Sequence, residues 1–98
     1  MAKPLWTLHI VRNQLRGSET TYTVKRQAST EAGGESAATS QASPQSWGRL
    51  RGLLEQVARI DPQNVAAFKK ELDASGIVAI PNVPLDSFDL RLVGFSDA

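Results

Sequence analysis

Ser43 to Gly76 reads SPQSWGRLRGLLEQVARIDPQNVAAFKKELDASG, and this stretch decides the fold. Ser43-Pro44 is a helix-opening signal, with serine as N-cap and proline at the first helical position. Trp47, Leu50, Leu54 and Val57 then recur every three or four residues, flanked by Leu53 and Ile60, which is the stripe of a helix facing a core. Arg49, Arg51, Glu55 and Arg59 take the wet side. Gly48 and Gly52 sit four apart and each weakens the helix by roughly 1 kcal/mol relative to alanine. Their spacing predicts that a neighbouring element approaches closely. Asp61-Pro62 repeats the opening signal, so the first helix ends near Ile60 and a second begins, with Val65, Phe68 and Leu72 inward. Ser75-Gly76 is a stop, because glycine takes the left-handed capping conformation without strain.

On the N-terminal side, Leu5 to Arg12 (LWTLHIVR) alternates with period two. Trp6, Leu8 and Ile10 share one face; Leu5, Thr7, His9 and Val11 share the other. Apolar residues on both faces suit a central strand or one at an oligomer interface. Glu19 to Arg26 (ETTYTVKR) is a half-buried strand with Thr20, Tyr22 and Val24 inward, and the NQLRGS between them makes a hairpin loop. Residues 27–45, QASTEAGGESAATSQASPQ, contain no large apolar side chain and are read as a flexible linker.

On the C-terminal side, Ile77 to Ile80 (IVAI) is a short buried strand, and PNVPLDS is a loop because Pro81 and Pro84 each remove an amide donor. Phe88 to Phe95 (FDLRLVGF) alternates, which predicts a last strand with Phe88, Leu90 and Leu92 inward. The expected fold class is therefore α+β, in the order ββ-αα-ββ. A four-stranded antiparallel sheet carries two helices on one face, in a single domain over residues 1–98. Without the linker such a domain is marginal alone, and its two-faced apolar strands make a homodimer plausible.

Composition narrows the function. The chain has 98 residues, 41% hydrophobic and 21% charged, as folded chains do. It has no cysteine, so thiolate nucleophiles, disulfides and cysteine-ligated metals are excluded. No apolar run reaches the ~18–20 residues of a membrane helix, and no secretory leader is evident, so a cytoplasmic location without a membrane partner is expected. His9 is the one histidine and stands mid-strand, so acid/base catalysis lacks partners. No G-x-S-x-G elbow or phosphate loop occurs, and the carboxylates have no metal-ligand spacing. No enzyme, cofactor or metal is expected.

Net charge is +1, but residues 1–26 hold Lys3, Arg12, Arg16, Lys25 and Arg26 against Glu19 alone. Arg12, Arg16, Lys25 and Arg26 cluster toward the hairpin and are the candidate partner-binding residues. The expected role is a small non-enzymatic protein-interaction or regulatory module whose partner is a protein, a second copy of the chain included. The alternative is a nucleic-acid-binding module in which these four cations meet phosphates and Trp6 and Tyr22 stack on bases.

Overall fold

The computed structural model describes residues 3–13, 20–28 and 40–95. The fold is α+β, with a four-stranded antiparallel sheet in the order β3-β2-β1-β4. β1 (Leu5–Asn13) and β2 (Thr21–Ala28) form the expected hairpin, with Leu8 opposite Arg26 and Ile10 opposite Val24. β4 (Ile77–Pro84) lies antiparallel on the other side of β1, which is therefore central, as its two apolar faces require. β3 is only Ser40–Gln41, paired with β2.

The helix pair follows its apolar stripes, although α1 ends at Gln56, four residues short of the expected Ile60. α1 (Trp47–Gln56) buries Leu50 and Leu54, and α2 (Pro62–Ser75) buries Val65 and Leu72. Asp61 caps α2 by accepting from the Gln63 N–H, and Gly76 closes it at φ 84°. Their stripes meet Leu8, Ile10, Val24, Val78 and Ile80 in one hydrophobic core, with Trp47, Val57, Ile60 and Phe68 packed around it. Fully burying one such aliphatic side chain is worth about 1.5–3 kcal/mol, so the stripe outweighs the two helix glycines.

Five further local expectations are corrected. α1 starts three residues late, capped by Ser46, whose hydroxyl accepts from the Arg49 N–H. The cause is Gln45, whose N–H and C=O both bond the main chain of Tyr22 at 2.9 and 2.8 Å and hold it extended. Gln27 and Ala28 belong to β2, and residues 40–45 run alongside it, so only residues 29–39 of the expected linker lie outside the described residues. Gly48 and Gly52 admit no close neighbour: a Cβ on either meets nothing within 4 Å.

The fourth and fifth corrections concern the C-terminal stretch. Pro81 and Pro84 are not loop residues but lie within β4. The register shifts between Trp6 and Leu8, and Asn82 takes φ 58° there, a bulge that Asn tolerates better than most residues. Ser87–Val93 is a helix, α3, and not a strand. Asp86 and Asp89 form a capping box, each carboxylate accepting from the other's backbone N–H at 2.8 and 3.2 Å. Leu85 before the cap and Leu90 in the first turn are both buried, as a hydrophobic staple requires. At the other end Gly94, at φ 112°, lets the Phe95 N–H reach the Leu90 C=O, and Phe95 buries beside it. Helical winding turns Leu90 and Val93 inward and leaves Phe88 and Leu92 outside.

Candidate interaction surface

Of the four predicted cations, the three among the described residues are not gathered by the fold. Period-two alternation sends Lys25 and Arg26 to opposite faces of β2. Arg26 lies on the helix-covered face, 8% exposed, its guanidinium 4.9 Å from the ring centroids of both Trp6 and Phe95. Trp6 is held in place by its indole N–H, which donates to the Leu85 C=O at 2.9 Å. Lys25 is exposed on the other face. Arg12, half-buried at the rim, pairs with Asp73 at 3.6 Å. Arg16 lies outside the described residues.

Two polar clusters pin helices to the sheet. At one rim Lys69 donates to both carboxylate oxygens of Asp73 at 2.9 and 2.8 Å, and its Nζ sits 5.6 Å from the Trp47 ring. Trp47 in turn stands edge-on to Tyr22, centroids 5.5 Å apart. The Lys69 hydrogen bond holds the Asp73 carboxyl below the usual carboxylate range and in return raises the lysine. Near the first strand Lys3 donates to Asp89 at 2.7 Å, tying the start of the described chain to α3. That bond lowers Asp89 and raises Lys3. Both clusters are satisfied within themselves, so they read as fasteners.

The opposite face of the sheet is different. All three helices contribute to one core on the side of Leu8, Ile10, Val24, Val78 and Ile80. Leu5, Thr7, His9, Val11, Lys25, Ile77 and Ala79 point the other way, and among the described residues no helix lies over them. Leu5 and Ile77 are 44% and 51% exposed. Thr23 at the centre is buried, its hydroxyl accepting from the Asn13 amide at 2.5 Å. His9 stands between Lys25 and Ala79 on neighbouring strands. Among the described residues no group of His, Cys, Asp and Glu side chains is placed to hold a metal ion, and no helix is long and apolar enough to cross a membrane.

The edge of β4 borders this face. The Arg12 N–H donates to the Gly76 C=O at 2.9 Å, and hydrogen-bonded positions alternate along an antiparallel ladder. The amides of Val78 and Ile80 therefore point to β1, while those of Ile77, Ala79 and position 81 point away from it. Beyond the bulge the Leu85 N–H reaches the Pro4 C=O at 3.1 Å, which turns position 84 outward as well. Both prolines thus stand where the missing N–H would have faced solvent, the placement that leaves a ladder intact and blunts an edge. The two prolines masked this edge; the even, four-residue offset of Pro81 from Ile77 was its one visible sign.

Among the described residues the arrangement offers apolar and β-branched side chains, one cation and a short run of outward-facing main-chain groups, which is chemistry for holding another surface. Comparison with protein-family models, with curated proteins and with solved structures finds no match for this chain.

Proposed function

We propose that the chain is a small non-enzymatic protein-interaction or regulatory module that engages a protein partner through the helix-free face of its sheet. One observation carries the reading: the helices share one side of the sheet, and the other presents Leu5, Val11, Ile77 and Ala79 around Lys25. Nucleic-acid binding by the basic hairpin has less support. Arg26 is engaged by two rings, Arg12 by Asp73, and Lys25 points away from both. Tyr22 belongs to the core, and Trp6 packs against it beneath Arg26, so both rings are already engaged. A cytoplasmic setting, expected from the sequence, completes the proposal.

The test uses the full chain as bait with exposed-residue cross-linking. Ile77→Asp should abolish recovery of the partner, while Ala66→Asp on α2 should leave it unchanged. Equal recovery with both variants would sink the reading. A gel shift with mixed RNA and DNA at two salt concentrations checks the alternative. No shift at low salt is expected; a shift weakening by about one unit of log–log slope per lost contact would reinstate it.

A further inference from the structure

We propose that the outer edge of β4 is a self-recognition site, through which two copies of this chain pair antiparallel about a two-fold axis at Val78. This rests on the protein-interaction reading and names its partner as a second copy.

The case begins with the main-chain groups that face outward from the sheet. Ile77 and Ala79 each direct an N–H and a C=O away from β1, two residues apart. The Ile77 carbonyl confirms this orientation, since it lies 2.9 Å from the Ser75 hydroxyl, on the helix side and away from the ladder. A carbonyl has a second lone pair, so it still accepts. With the two-fold at Val78, Ile77 of one copy stands opposite Ala79 of the other. Their groups then satisfy one another in both directions, giving four main-chain hydrogen bonds. Faces are preserved, because paired residues share parity: Ile77 meets Ala79 on the helix-free side, and Val78 meets Val78 on the core side.

The prolines fit this length. Position 81 of one copy falls opposite Ser75 of the other, where α2 has already turned the chain out of the sheet. Neither Pro81 nor Pro84 is asked for a donor it lacks. A longer foreign strand running along β4 would meet both prolines and the bulge at Asn82. The charges also agree. Ile77 to Leu85 contains no ionisable side chain, and α2, which packs beside β4, balances Lys69 and Lys70 with Glu71 and Asp73. Two copies therefore approach without net repulsion, and Ile77 loses exposure it holds in the single chain.

So short a contact lies at the small end of specific interfaces, and sedimentation equilibrium should show a dimer at chain concentrations on the order of 0.1–1 mM. Ala79→Pro removes an outward N–H from each copy without touching the β1 ladder, and should weaken dimerisation about tenfold or more. Circular dichroism melts verify that the variant folds. The chain has no native cysteine, so Val78→Cys places a single thiol beside its own symmetry mate. Under mild oxidation it should form a disulfide-linked dimer faster than Gln41→Cys, on the opposite edge. A chain monomeric to 1 mM, a dimer indifferent to Ala79→Pro, or equal cross-linking of the two thiols would overturn the pairing. If the chain is monomeric yet loses its captured partner on Ile77→Asp, the pairing fails while the protein-interaction reading stands.

Discussion

Lys25 and Arg26 are adjacent in sequence, similar in charge, and separated by the thickness of a sheet. Arg26 lies against Trp6 and Phe95 and closes the core; Lys25 stands in solvent on the bare face. The same division runs along every long strand: Leu8, Ile10 and Val24 are sealed under helices, while Leu5, His9, Val11 and Ile77 are not. A charge therefore says little until its parity is known. On the covered side a cation is a piece of packing, and on the bare side it is available to a partner.

The contrast breaks most readily from the covered side. Leu50 is fully buried on α1 and has no room to be replaced, so Leu50→Ala should destabilise by about 2–5 kcal/mol in urea titration. A loss under 1 kcal/mol would mean the helices do not seal this face. Arg26→Ala against Lys25→Ala tests the pair directly. The first removes two ring contacts and buried methylenes, and should cost roughly 1–3 kcal/mol; the second should stay within about 0.5 kcal/mol. Equal losses would erase the distinction drawn between the faces.

Glycines sharpen it further, with opposite signs. Gly94 sits at φ 112°, and a Cβ there would lie 3.3 Å from the Gln45 side-chain nitrogen, itself bonded to the Val93 C=O at 2.6 Å. Gly94→Ala should cost about 1–3 kcal/mol through backbone strain. Gly48→Ala in α1 meets nothing within 4 Å and should stabilise by about 1 kcal/mol. Thermal melts that move in the same direction for both would contradict the contrast between the left-handed cap at Gly94 and the helical backbone at Gly48.

The smallest effect is electrostatic. Asp73 and Asp89 have lowered pKa values in the folded chain, through Lys69 and Lys3 respectively, so folding there releases protons. Their contribution is fully present above the ordinary carboxylate value of about 4 and is lost as pH falls through the lowered folded values. Lys69 and Lys3 are raised, so their contribution holds below about 10.4 and fades as pH climbs through the raised values. Lys3 and Asp73 each keep about half of their side chain in solvent, which screens both pairs and keeps the effect small. Lys69→Met should flatten the acid limb of Tm against pH, whereas Lys70→Met should leave its shape unchanged.

Much of this molecule was legible from residues alone. Period-two alternation in Leu5 to Arg12, the Asp61-Pro62 cap and the Gly76 stop report on neighbours a few positions away, and each stands where the pattern put it. The class of fold and the five-residue roof of Trp47, Leu50, Leu54, Phe68 and Leu72 follow from the same local rules. FDLRLVGF was ambiguous because its alternation fits a strand, while its helix is nucleated by Asp86, Asp89 and Leu85 outside the apolar pattern. Ser43-Pro44 carried a valid start signal that Gln45 overrode by pairing with Tyr22 across the chain. Pro81 and Pro84 spelled a loop until β1 turned their missing donors toward solvent. Local chemistry sets which conformations a segment favours by about a kilocalorie per residue. Only contacts between distant segments decide which face of β2 is sealed, which edge of β4 stays open, and therefore which cation a partner can reach.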